Sequence, residues 1–241
     1  MSDVLNGYVS AYGASFEYTF DNEIMLNWYA KRLMSLTCHE SRVLDLGIGH
    51  GYTCNYFSDY YTKYVVLDGS NSIIENFKRQ YPNSKAQIIQ SYFESFDSEQ
   101  EFDIIIMGFV LEHVDNPANI LDRFKKFLAS NGRCFVAVPN AESLHRRFGH
   151  NAGLLPDMSI PGKGDLALGH QRLYSVDSLT EQLQICGYSV VRQEGIFLKP
   201  LTTGQLQSLN LSKDILEGMC KVGVKYPELS AGLLFEVQVA T

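Results

Sequence analysis

The segment Val43-Leu44-Asp45-Leu46-Gly47-Ile48-Gly49-His50-Gly51 constrains this chain more than any other. Apolar residues flank one acid, and then glycines alternate through a turn. Val43 to Leu46 read as the end of a buried strand. The glycines let the backbone turn sharply and approach a ligand closely. A helix is expected from Tyr52 to about Tyr60. Strand, glycine-rich turn and helix together are the plan of a nucleotide-type site in an open α/β sheet.

The spacing separates two ligand classes. A dinucleotide fingerprint, Gly-x-Gly-x-x-Gly, would need glycine where Tyr52 stands. The pattern is instead Asp-x-Gly-x-Gly-x-Gly. An acid placed two residues before the first glycine suits a cationic or hydrogen-bond-donating ligand better than a pyrophosphate, which argues against a nicotinamide-dependent oxidoreductase. A second acid, Asp68, closes the next apolar run, Tyr64 to Leu67. A carboxylate at the end of that second strand can accept hydrogen bonds from two ribose hydroxyls.

Further along, Phe102-Asp103-Ile104-Ile105-Ile106-Met107-Gly108 is a continuous, mostly β-branched run, as expected for a central parallel strand covered on both faces. Phe109 to Val114 follow at its carboxyl end, where open α/β sheets place ligands. Val43 to Gly51, Val65 to Asp68 and Phe102 to Pro117 together resemble class I S-adenosylmethionine-dependent methyltransferases. The resemblance is specific over roughly positions 41 to 140.

That resemblance implies a doubly wound α/β fold: a seven-stranded, mostly parallel, Rossmann-like sheet with helices on both faces and its last strand antiparallel. It implies S-adenosylmethionine as cofactor, S-adenosylhomocysteine as product, and in-line transfer of a methyl group. Asp45, Gly47, Gly49 and Asp68 become cofactor-binding candidates. Ser91, Tyr92 and Phe93, after the third strand, are expected at the adenine, and the backbone near Phe109 at the methionine part. Glu112-His113 is read as fixing a loop, with His113 the weaker candidate for a chemical role.

The rest of the chain is read around this core. Helices are expected from Asn22 to Leu36 with Asp21 as cap, from Asn71 to Gln80, and from Pro117 to Asn131-Gly132 with Leu128 in its apolar stripe. Strands are expected at Lys85 to Gln90, Arg133 to Val138, Tyr188 to Glu194 and 231 to 239. The 241 residues suffice for one methyltransferase domain, 1–241, burying roughly 70% of its unfolded surface. Residues 1–40 are expected to form an N-terminal helical cap, in which Tyr12 is a candidate lid residue over the acceptor. Residues 141–174 are read as a substrate-facing insertion, because Gly149 to Gly169 is a long glycine- and proline-containing loop. Residues 196–227 form a second cover segment or a dimer contact.

Within the insertion, Arg146, Arg147, Lys163 and Arg172 outnumber Glu142, Asp157 and Asp165, although the whole chain carries a net charge of -7. Arg146, Arg172 and Tyr174 are candidates for binding an anionic acceptor, and His170 and His145 for accepting its proton. Arg172 could instead pair with Asp165. This local basicity tilts the expectation toward O-methylation of a small acidic or hydroxylated metabolite. A small amine acceptor and a non-catalytic S-adenosylmethionine-binding regulator are the alternatives.

Net acidity disfavours nucleic acid as partner, and no apolar run is long enough to span a membrane. The five cysteines are scattered, with no Cys-x-x-Cys pair, so free thiols and no metal cluster are expected. A cytoplasmic monomer or homodimer is the expectation, with no leader segment read at the amino terminus.

Overall fold

The computed structural model describes residues 19–240. Its centre is a seven-stranded sheet in the order β3-β2-β1-β4-β5-β7-β6. The strands are β1 (Arg42–Leu46), β2 (Lys63–Asp68), β3 (Gln87–Gln90), β4 (Phe102–Gly108), β5 (Leu128–Pro139), β6 (Tyr188–Ile196) and β7 (Gly232–Val239). Strands β1 to β5 pair in parallel, and β7 inserts antiparallel between β5 and β6. The fold expected from the sequence is therefore the fold observed.

The pleat sorts the strand residues into two cores. Leu44, Leu46, Leu67, Ile105, Met107 and Val136 face one layer, packed on Ile120, Leu121 and Phe124 of helix α4 (Pro117–Lys125) and on Leu179 and Leu183 of α7 (Val176–Ile185). Val43, Val66, Ile104, Ile106 and Ala137 face the other. There they meet α1 (Thr19–Leu36) through Tyr29 and Leu33, α2 (Tyr52–Tyr60) through Phe57, and α3 (Asn71–Gln80) through Ile73, Ile74 and Phe77. Leu206 of α8 (Thr203–Ser208) and Cys220 of α9 (Lys213–Gly223) complete that layer.

Local chemistry sets most helix ends. The Ser70 hydroxyl accepts from the Ile73 N–H at the start of α3, and the Asn116 carbonyl oxygen Oδ1 accepts from the Asn119 N–H ahead of Pro117. Two expectations fail. Helix α4 stops at Lys125, and Leu128 opens β5 instead of ending the helical stripe, because it pairs with Phe102 of β4. Helix α1 begins at Thr19, so Asp21 lies inside its first turn and is not its cap. The loop expected between Gly149 and Gly169 carries its own short helix, α6 (Lys163–Leu168), after α5 (Leu144–Asn151).

The strand order reverses between β1 and β4, and their carboxyl ends open a crevice at that switch point, the usual ligand position in such sheets.

Candidate active site

The crevice is a cavity of about 670 Å3. Gly47, Ile48, Gly49 and His50, from the turn after β1, form one wall. Gly47 sits at φ +87°, a conformation that side-chain-bearing residues rarely adopt, and its N–H donates to the Leu67 carbonyl at 2.7 Å. The Asp68 carboxylate braces the same turn through one oxygen, to which Ile48 N–H donates at 3.0 Å, while Ser70 N–H after β2 donates to the other at 2.8 Å. Burial raises the Asp68 pKa, and these two N–H donors oppose the rise. Each carboxylate oxygen keeps a lone pair for a further donor.

Tyr92 and Phe93 line the neighbouring wall, and Phe109 lies across from them at the end of β4. Phe109 has φ +58°, an uncommon value for a bulky residue, and backbone strain of this kind clusters at ligand sites. A Cβ on Gly108 would lie 2.5 Å from the Tyr29 hydroxyl.

Two expected cofactor residues are not on the wall. Asp45 points into the opposite layer from its neighbours Leu44 and Leu46, as strand alternation requires, and accepts from the Tyr64 hydroxyl at 2.6 Å. Burial pushes its carboxyl up to about 7. Ser91 turns its hydroxyl to the Tyr92 carbonyl at 2.9 Å.

The other half of the cavity is built by the loop after β4 and by the insertion. Glu112 is fully buried, and neither of its carboxylate oxygens has a hydrogen-bond partner. Burial pushes its pKa up to about 7. The His113 and His170 rings meet edge to face at 4.8 Å between centroids, beside Glu112. Burial first, and then the charge of His170, holds His113 at about 3. His170 Nδ1 lies 3.1 Å from an Asp165 carboxylate oxygen, which leaves Nε2 for another partner.

The remaining candidates divide. His145 is on the wall, 3.2 Å from the Ser143 hydroxyl, and burial together with Lys199 and Arg146 holds it at about 3. Arg146 also reaches the wall, yet it donates to the carbonyls of Ala141, Met158 and Ile160. Arg172 is corrected. Its guanidinium donates to the carbonyls of Leu111, Val114 and Asp115, at 2.5–3.3 Å, and pins the loop after β4 from outside the cavity. Nor does it pair with Asp165. Tyr174 is corrected too, since it is buried in the core against α7 and its neighbours. Tyr12 lies outside the described residues.

Residues that sequence reasoning passed over complete the wall. Asp21 of α1 is ion-paired with Lys199, and Thr203 donates to the same carboxylate oxygen at 2.5 Å, so α1 and the start of α8 close the cavity together. Glu112 carried a legible signal: an acid inside an apolar run at the end of the central strand. Glu112, His113 and His170 bring one candidate ligand atom each within 4.8 Å of one another, a grouping that joins segments distant in sequence. The five cysteines are free thiols, four of them buried. No helix among the described residues is long and apolar enough to cross a membrane.

Residues 25–193 match a family model described as a methyltransferase domain. The ubiquinone biosynthesis O-methyltransferase of Rhodopseudomonas palustris (strain BisB5) is 26% identical over 72% of this chain and 68% of its own length. A protein of the same name from Bradyrhizobium diazoefficiens is 30% identical over 115 residues, so the chain spans about half the length of that relative (46%). Among solved structures, the 1,6-didemethyltoxoflavin-N1-methyltransferase of Burkholderia thailandensis, bound to S-adenosylhomocysteine, superposes with a TM-score of 0.64. It shares 16% identity over 99% of this chain and 88% of its own. Glycine turn, Asp68 brace, strand order and family match agree: the chain belongs to the class I S-adenosylmethionine-dependent methyltransferases.

Proposed function

We propose that this enzyme methylates an oxygen of a small hydroxylated or acidic acceptor, bound in the half of the cavity beside Glu112, His113 and His170. In this reading, Gly47, Gly49, Asp68, Tyr92, Phe93 and Phe109 hold the cofactor, with Asp68 toward the ribose. The sulfonium methyl then points across Phe109 at the acceptor. The acceptor oxygen forms a bond to the methyl carbon as the carbon–sulfur bond breaks. The bonding pair stays on sulfur, giving S-adenosylhomocysteine. Aligning the three atoms alone supplies roughly 7–11 kcal/mol of barrier reduction in favourable cases.

The observation that carries the acceptor assignment is the Asp165–His170 pair. A carboxylate fixed to Nδ1 sets the ring tautomer and orientation and presents Nε2. His145, held at about 3, is too weak a base to compete. Residues 141–174 are then the substrate-facing insertion, supported by His145, Arg146, Asp165 and His170 on the cavity wall, and 196–227 the second cover, supported by Lys199 and Thr203. Of the expected cap, 1–40, the described part from residue 19 lines the cavity through Asp21 and Met25. The net charge of -7 favours a free metabolite over nucleic acid, and buried free thiols fit a reducing cytoplasm. A monomer or homodimer fits the same reading. An amine acceptor is the second reading, favoured by the unpartnered Glu112 carboxylate as a site for an ammonium group.

The test is steady-state kinetics of His170→Gln on whichever hydroxylated or acidic acceptor the wild type turns over. We expect kcat to fall by about 100-fold or more, with affinity for S-adenosylhomocysteine unchanged. An unchanged kcat removes His170 from the reaction.

A further inference from the structure

We infer that Glu112, His113 and His170 bind a divalent transition-metal cation, Zn2+ being the type that suits them. Each offers one ligand atom, and the three atoms lie within 4.8 Å of one another. Zn–N and Zn–O bonds of about 2.0–2.2 Å require the three side chains to draw in slightly around one ion. Two imidazoles and one carboxylate are a donor set for Zn2+ and its borderline neighbours, not for Mg2+ or Ca2+, which take mostly oxygen.

A second observation points the same way. Glu112 is completely buried, and both its oxygens lack a hydrogen-bond partner while lining the cavity. A buried carboxylate left without donors is costly, and a bound cation removes that cost. The outer shell is also in place. The Asp165 carboxylate sits on His170 Nδ1, the arrangement in which a carboxylate orients a metal-bound histidine through its far nitrogen. Asp165 is itself held by the Gly162 N–H at 2.7 Å. The Gln171 side chain donates to the His113 carbonyl at 2.8 Å and its N–H to the Glu112 carbonyl at 2.8 Å, fixing both ligand residues to the His170 segment.

Three protein ligands would leave a fourth position, and all three residues line the cavity. The inference deepens the proposed O-methylation and rests on it only for this last step. The acceptor hydroxyl takes the open position, and the cation lowers its pKa so that its proton leaves to water. The ion would thereby supply an acceptor oxygen already deprotonated for attack on the methyl carbon, and the carbon–sulfur pair would remain on sulfur. His170 Nε2, which serves as the base in the site without a cation, would then hold the ion.

The experiment uses the full chain, stripped with EDTA and dialysed. Zn2+ is titrated by calorimetry, and Co2+ by its visible absorption. We expect one Zn2+ per chain and a Co2+ spectrum of nitrogen and oxygen ligation. Glu112→Gln should weaken Zn2+ at least tenfold. Asp165→Asn, which alters only the outer shell, should weaken it by about 10–100-fold. Retained S-adenosylhomocysteine binding certifies that each variant is folded. Absence of Zn2+ and Co2+ uptake by the wild type overturns the inference, as does Zn2+ affinity in both variants unchanged from the wild type. Methyl transfer that persists without Zn2+ uptake refutes the cation alone. Zn2+ uptake without transfer to any oxygen acceptor refutes the proposed function and leaves the site.

Discussion

Asp45 and Asp68 show how two acids read together from one motif take different work. Asp68 ends its strand and turns to the cavity, bracing the glycine loop through Ile48 N–H and its own following turn through Ser70 N–H. Asp68→Ala should weaken S-adenosylmethionine binding about tenfold or more, since both the brace and the ribose acceptor are lost, each hydrogen bond to a charged group being worth about 1.5–3 kcal/mol. Unchanged affinity in calorimetry would remove the ribose assignment. Asp45 lies one pleat away, under the sheet, and its carboxyl is pushed from 3.8 to about 7 by burial. The folded state therefore holds a proton that the unfolded chain releases near 3.8. Its contribution to stability is present below that value and is lost as pH rises to about 7. The interval corresponds to about 4 kcal/mol. Asp45→Asn, which cannot ionise, should show a flatter stability profile between pH 4 and 7 in urea denaturation, and an unaltered slope would contradict the burial argument. The motif made both acids visible. Only the two-residue alternation, with Leu44 and Leu46 facing the other core, separates their roles.

At the scale of elements, the loop after β4 is held from behind by the segment that follows α6. Arg172 caps three carbonyls of that loop, and Gln171 two further groups. Arg172→Ala should cost about 2 kcal/mol in stability and speed amide exchange over residues 110–115, with cofactor affinity falling less than acceptor affinity. Thermal melting and exchange read by mass spectrometry check this. Unchanged exchange in the loop would mean that Arg172 does not hold it. Elements with strong local signals were legible: α2, α3, β2 and β4 follow from apolar period, caps and turn residues. The α4–β5 boundary was not, because Leu128 fits a helical stripe equally well and only pairing with Phe102 decides it. The contacts of Arg172 with the loop join segments far apart in sequence, and no local pattern encodes them.

The cavity has two halves, one at the switch point of the sheet and one built by segments distant in sequence. Strand order and the switch point set the cofactor half, so sequence motifs reach it. The other half is assembled from α1, the loop after β4, the segment around α5 and α6, and the start of α8, which meet only in the folded chain. The Asp21–Lys199 pair joins two of these pieces across the cavity mouth. The central claim is that the methyl group goes to an oxygen in that half. The most direct measurement is carbon-13 NMR of products formed from S-adenosylmethionine labelled at the methyl carbon, with a panel of hydroxylated, acidic and amine acceptors. The account predicts a methoxy or methyl-ester signal that Glu112→Gln and His170→Gln abolish. A signal from methyl on nitrogen, or an oxygen-linked signal that both variants leave intact, would contradict it.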